Sequence, residues 1–302
     1  MGGAGTRPLH SLSVDGALLA SLDPFLRRAL EEDVGAGDVT TDTVIPTSTR
    51  AVGRLIAKEE GVIAGLALFA RVFELLDPLV GARRSLADGE RVTPGSVVIE
   101  LEGPARALLV GERTALNLVQ RLSGIASRTR AYVDRVQGRA RILDTRKTTP
   151  TLRRLEKYAV RCGGGENHRL GLFDEAMLKN NHVDIAGRSL FELVRDLRTR
   201  HGEGLCISAE ARNEREALEA VRGGADVVLL DNLPSAELAR LVPRVRAAAE
   251  GRARHLEIEA SGGVTLENVE AVARSGVDRI SVGALTHSAP ALDLALRLEL
   301  RA

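Results

Sequence analysis

From Gly138 onward the chain repeats one rhythm, a short β-branched run followed by a helix-length amphipathic segment, and this repetition narrows the possible folds most. The strand candidates are residues 141–143, 205–209, 226–230, 256–259 and 279–282. Between them, 213–222, 235–250 and 266–274 carry apolar stripes at helical spacing. Strand–helix units of this length predict a parallel sheet, open or closed as a barrel. Nearly every strand run is followed at once by polar or glycine residues: Asp144-Thr145-Arg146-Lys147, Glu210, Asp231-Asn232, Ser261-Gly262-Gly263 and Gly283-Ala284. In a parallel α/β fold these residues gather at the carboxyl ends of the strands, where such folds carry their chemistry.

The first part of the chain lacks this rhythm. Leu18, Leu19, Leu22, Phe25, Leu26 and Leu30 recur at helical steps over about 11–32, with Asp23-Pro24 as a helix start and Gly35-Ala36-Gly37 as a stop. Alternating segments at 52–57 and 97–101 flank a helical stretch at 66–76. Dense turn signals around Asp88-Gly89 and Pro94-Gly95 complete the pattern of a small mixed domain. A long helical region at 105–136, interrupted near Ser123-Gly124, leads into the repeats.

Charge and composition exclude several partners. Of the 42 basic residues only Lys58, Lys147, Lys157 and Lys179 are lysine, and the formal net charge is +1, without the positive excess that duplex nucleic-acid binding needs. Seven aromatic residues and no Trp leave little for base stacking. The longest apolar run, 61–70, is about half a membrane span. Cys162 and Cys206 have neither paired-thiol nor zinc spacing, so a reducing cytoplasm is expected. Because lysine is so rare, each surviving one is informative, and three of the four fall between 147 and 179.

Several strand-end residues have both a bland and a chemical reading. Ser261-Gly262-Gly263 and Gly283-Ala284 are either tight turns or backbone cradles for phosphate, placed after the last two strands where barrels often hold one. Arg146 and Lys147 are a solvated pair or a binding site for an anion. His168 and His182 fit structural roles, and no zinc-like spacing surrounds them. Glu210 and Asp231 suit acid–base work or Mg²⁺ held jointly with a diphosphate, and the neighbouring cations Arg146, Lys147, Arg169 and Lys179 favour the second. Together they describe a cationic pocket for a small polyanion. No nucleophile elbow, Walker loop or dinucleotide fingerprint competes with it.

The ordered motifs resemble the quinolinate phosphoribosyltransferase family. They are Glu32-Asp33-Val34-Gly35-Ala36-Gly37-Asp38-Val39-Thr40-Thr41, Gly111-Glu112-Arg113-Thr114-Ala115-Leu116-Asn117, the Asp144 to Pro150 stretch and Glu156-Lys157-Tyr158. The series continues with the Gly163 to Arg169 loop, Lys179 to Val183, Leu229-Leu230-Asp231-Asn232, Glu259-Ala260-Ser261-Gly262-Gly263 and Gly283-Ala284-Leu285-Thr286-His287.

This resemblance implies an N-terminal α/β sandwich domain at 1–125 and an incomplete, seven-stranded-type α/β barrel at 126–302, with a last helix packing back on the first domain. It implies a homodimer and a Mg²⁺-dependent reaction of quinolinate with 5-phosphoribosyl 1-diphosphate that yields nicotinate mononucleotide, diphosphate and CO₂. By motif, Arg146, His168, Arg169 and Lys179 would line the quinolinate site, with Arg113 arriving from the other subunit. Lys147, Thr148, Glu210, Asp231, Ser261, Gly262, Gly263, Val282, Gly283 and Ala284 would hold the phosphoribosyl diphosphate. Within that set Lys147, Glu210 and Asp231 would be catalytic, and Glu210 and Asp231 would bind the metal through water and diphosphate. One departure is visible: relatives commonly carry Glu-Val-Glu on the strand that ends at the binding glutamate, whereas this chain has Ser208-Ala209-Glu210. Two rivals remain, a nicotinate-using enzyme of the same fold that does not decarboxylate and a non-catalytic phosphate-ligand binder.

Overall fold

The computed structural model describes residues 16–301 and divides the chain into two compact units, residues 1–120 with 293–302, and residues 121–292. The division falls within one helix, five residues before the expected boundary, and the C-terminal segment returns to the first unit. Residues 11–15 of the first expected helix lie outside the described residues.

The first unit contains α1 (Gly16–Ser21), α2 (Asp23–Val34), α3 (Thr41–Val44), β1 (Arg50–Ala57), β2 (Gly61–Val62), α4 (Leu66–Leu76), β3 (Gly81–Arg84), β4 (Arg91–Val92), β5 (Val97–Pro104) and the first half of α5 (Ala105–Val136). A four-stranded sheet forms in the order β12-β1-β5-β3, where β12 (Leu294–Leu300) is the last strand of the chain. The sheet buries Leu55, Ile99 and Leu101, and α4 buries Phe69 and Phe73, whose rings meet edge to face. Arg54 on β1 joins three strands by pairing with Glu100 of β5 at 2.9 Å and Glu299 of β12 at 2.8 Å.

The chain therefore ends in a strand, not in the expected helix. Leu294, Leu296, Leu298 and Leu300 alternate with Ala295, Arg297 and Glu299, a period of two that suits a pleated edge. Pairing satisfies backbone groups that β1 would otherwise leave open. Nor is α5 interrupted at Gly124. A Cβ at that position would run into the Pro290 carbonyl, so the glycine permits close packing within the second unit and does not break the helix.

In the second unit, after the rest of α5, come β6 (Arg141–Leu143), α6 (Arg153–Cys162), β7 (Ala176–Leu178), α7 (Asn180–Ala186), α8 (Leu190–His201), β8 (Ile207–Ala211), α9 (Glu214–Gly223), β9 (Val227–Asp231), α10 (Ser235–Ala248), β10 (Glu257–Ser261), α11 (Val269–Arg274), β11 (Arg279–Ser281) and α12 (Ala284–His287). All pairings are parallel, in the order β6-β11-β10-β9-β8-β7. The first strand thus pairs with the last, and the sheet curls into a barrel that stays open between β6 and β7. It has six strands, not the expected seven. In the remaining place only Glu166 bridges to Leu143, because the run Gly163-Gly164-Gly165 precedes it and the chain then turns to deliver His168 and Arg169. Helix starts follow local chemistry: Ser189 and Glu192 form a reciprocal capping box on α8, and the Asn213 side chain accepts the Glu216 N–H on α9. Among the described residues no helix is long and apolar enough to cross a membrane.

Candidate active site

All six strands of the second unit deliver residues to one cavity of about 530 Å³. From the end of β6 come Thr145, Arg146 and Lys147, from β7 Lys179, from β8 Glu210 and from β9 Asp231. The β10 turn contributes Ser261, Gly262 and Gly263, and β11 contributes Val282, Gly283 and Ala284. His168 and Arg169 enter from the glycine-rich loop. Glu210, Asp231 and Ser261 lie within strand ends and not after them, since β8 to β10 run further than expected.

The glycines are there to allow close approach. Gly262 has φ +87° and Gly263 φ +60°, and a Cβ on Gly262 would press on the Asn232 side chain. A Cβ on Gly283 would sit 3.0 Å from Lys147 Cδ, so its absence makes room for that lysine. The Thr286 hydroxyl donates to the Lys147 carbonyl at 2.7 Å and anchors the cationic loop.

Glu210 and Asp231 provide the negative side. Glu210 accepts from the Asn180 N–H at 3.2 Å and lies 3.4 Å from Lys179 Nζ. Burial raises the pKa of Asp231, the nearby Glu210 charge raises it further, and Lys179 and Lys147 act in the opposite sense. Two carboxylates repelling across a cavity form a place where a cation lowers the energy. Among the described residues no three His, Cys, Asp or Glu side chains cluster closely enough to hold a metal by themselves. The donor set therefore fits Mg²⁺, which binds through one or two carboxylates and takes its other oxygens from water and phosphate.

The same cavity is lined by Arg146, His168 and Arg169. Arg146 Nε is buried without a protein partner, a donor left for an anion. Burial and the adjacent Arg146 charge lower the pKa of Arg169. His168 Nδ1 accepts the Arg169 N–H at 2.8 Å, which leaves Nε2 facing Glu259 at 3.4 Å. Burial alone would raise the Glu259 carboxyl, but His168 and Arg279 hold it down at about 2. Beneath this turn lies an ion pair that sequence reasoning missed. Lys157 Nζ pairs with Asp144 and donates to the His168 carbonyl at 2.8 Å, while Asp144 accepts the His168 N–H at 2.9 Å and the Asn167 amide at 2.5 Å. The scarcity of lysine was the signal that could have found it.

One residue expected in this chain's own cavity lies elsewhere. Thr148 does not line the cavity, and its hydroxyl instead accepts from Arg153 Nε at 3.0 Å. Arg113, expected to come from the other subunit, is exposed on α5 in the first unit.

Comparison with known proteins shows the family. The description "Quinolinate phosphoribosyl transferase, N-terminal domain" matches residues 38–123, and the C-terminal counterpart matches 125–297. The chain belongs to the quinolinate phosphoribosyltransferase family. Relatives include the probable nicotinate-nucleotide pyrophosphorylase (carboxylating) of Bacillus subtilis, 42% identical over 92% of this chain and 94% of that protein. The protein of the same description from Synechocystis is 44% identical over 92% of each chain. Among solved structures, NadC from Streptococcus pyogenes superposes with a TM-score of 0.87 at 38% identity, covering 94% of this chain and 98% of that one. Both domain descriptions match within this one chain.

Proposed function

We propose that this chain transfers the phosphoribosyl group of 5-phosphoribosyl 1-diphosphate to quinolinate, releasing CO₂ and diphosphate and forming nicotinate mononucleotide for NAD biosynthesis. The observation that carries this reading is that a single cavity is lined both by Arg146, His168 and Arg169 and by the glycine turns together with the carboxylates Glu210 and Asp231.

The chemistry follows from these two sets of residues. Quinolinate is a planar dianion, and guanidinium forks hold carboxylates in a fixed plane, so Arg146 and Arg169 orient its ring nitrogen toward the ribose. The Ser261-Gly262-Gly263 and Gly283-Ala284 turns present backbone N–H groups to phosphate. The nitrogen lone pair forms a bond to ribose C1 as the C1–oxygen bond breaks, and the electron pair leaves with the diphosphate. Lys147 stabilises that developing charge, and Glu210 and Asp231 would hold the cation. Mg²⁺, when bound, neutralises the diphosphate. Loss of CO₂ from the carbon beside the quaternised nitrogen then leaves an electron pair that takes up a proton. Most of the rate enhancement comes from alignment and electrostatics, with no covalent enzyme intermediate.

The proposal extends to a homodimer in which Arg113 reaches the partner's cavity, and to a cytoplasmic location. Two guanidinium groups and an imidazole against one planar ligand suit two carboxylates better than the single carboxylate of nicotinate. Assaying both acids with 5-phosphoribosyl 1-diphosphate and Mg²⁺ tests the choice: turnover with quinolinate alone is the expected result, and preferential use of nicotinate would overturn it.

A further inference from the structure

One carboxylate of the barrel interior has no part in the mechanism above. Glu175 ends the loop that carries His168 and Arg169 and immediately precedes β7. Its carboxylate accepts a hydrogen bond from the Ser208 hydroxyl, and its backbone carbonyl accepts one from Arg169 Nη1 at 3.2 Å. Ser208 is fully buried and lies on β8 two residues before Glu210, so it faces the same side of the strand, one layer beneath the cavity. Also buried in that interior is Arg279, which pairs with Glu259 at 2.7 Å and Glu257 at 3.0 Å and keeps Nη2 without a partner.

This placement answers an electrostatic problem. Burial disfavours the charge of Arg169, and the nearby Arg146 charge disfavours it further. A counter-charge on the cavity side would compete with an anionic ligand. Glu175 is not among the cavity-lining residues, whereas Arg169 is, so a charge there offsets the repulsion without taking the ligand's place. Glu175 acts in that sense on both Arg169 and Arg279.

We infer that Glu175 is a positioning residue for the dianion site, its backbone carbonyl holding Arg169 and its carboxylate, held by Ser208, serving as a counter-charge outside the cavity lining that keeps Arg169 beside Arg146. The inference rests on the proposed quinolinate reaction. It also accounts for Ser208 as an exchange in place: the hydroxyl touches the Glu175 carboxylate, so a glutamate side chain at 208 would put its charge in the same space once residue 175 had vacated it.

The test is a steady-state comparison of wild type, Glu175→Gln, Glu175→Ala and the double variant Glu175→Ala/Ser208→Glu, each checked for folding by its thermal transition. Glu175→Gln removes charge at constant size. It is expected to raise KM for quinolinate about tenfold, with KM for 5-phosphoribosyl 1-diphosphate within about twofold and kcat within about threefold of wild type. The double variant should recover most of the quinolinate KM lost in Glu175→Ala. If simple removal of negative charge dominates, Glu175→Gln would bind quinolinate equally well or better, and that overturns the inference. So would a folded double variant no better than Glu175→Ala. Should the double variant fail to fold, the Gln variant decides alone. A wild type without quinolinate turnover would instead overturn the proposed reaction, a result distinct from normal turnover in both wild type and Glu175→Gln.

Discussion

Lys157 and Asp144 form an ion pair with almost no solvent exposure directly beneath the turn that carries His168 and Arg169. Burial raises the pKa of Asp144 and lowers that of Lys157, and each partner's charge opposes the shift of the other. With Asn167 and two groups of the His168 backbone completing the network, neither charge is left unsatisfied. Removing one partner strands the other in a low-dielectric interior. Lys157→Met should therefore cost about 3–5 kcal/mol of stability, read as a lowered urea midpoint. A midpoint equal to wild type would show that the pair does not hold the turn.

Lys147 presents the opposite case. It is exposed, and no ion pair engages its side chain among the described residues. Lys147→Ala should lower kcat by two or more orders of magnitude, about 3 kcal/mol or more of transition-state stabilisation, and leave the unfolding midpoint unchanged. Comparing initial rates with denaturation curves separates this from Lys157→Met, where stability falls as well.

Glu259 sets an acid limit on the fold. Its carboxyl is held at about 2, against a value above 4 in an unfolded chain. A depressed carboxyl stabilises the folded state above the unfolded pKa, and that contribution is lost as pH falls through the folded one. Wild type should therefore carry roughly 3 kcal/mol of pH-dependent stability that disappears between about pH 4.5 and 2 and that Glu259→Gln lacks. Equilibrium unfolding of both proteins across this range is the check, and parallel profiles would contradict the assignment.

Sharing of sites between subunits is open to a mixing experiment. Arg113→Ala and Lys147→Ala subunits, each impaired alone, should regain a fraction of wild-type activity after mixing and exchange, since some mixed dimers then contain one intact site. No recovery after verified subunit exchange would place Arg113 outside the partner's site.

The residues that face the cavity were largely legible because two patterns coincide there. A run containing a β-branched residue marks every strand of the second unit except β7, and the polar residue or glycine that closes it marks the carboxyl end of the strand. For β6 and α4 the expected bounds match the structure. What stayed hidden is physically coherent. Strand β7 is three residues, Ala-Met-Leu, with no β-branched side chain to announce it. The expected last helix comes from the resemblance, whereas the alternating leucines of β12 carry the period of a strand that pairs with β1. The supports for His168 and Arg169, namely Asp144, Lys157, Glu175 and Glu259, meet only when distant segments close into a barrel, and no local spacing encodes that meeting. Thr148 shows the reverse error, since adjacency to Lys147 in sequence does not place it in the cavity wall.

The central claim is tested most directly by following CO₂ release from quinolinate labelled at the 2-carboxylate. With 5-phosphoribosyl 1-diphosphate and Mg²⁺ present, label should leave as CO₂ in equal amount with nicotinate mononucleotide formed, and no label should be released when 5-phosphoribosyl 1-diphosphate is omitted. Absence of labelled CO₂ under the complete conditions, or its release without nucleotide formation, would contradict the account.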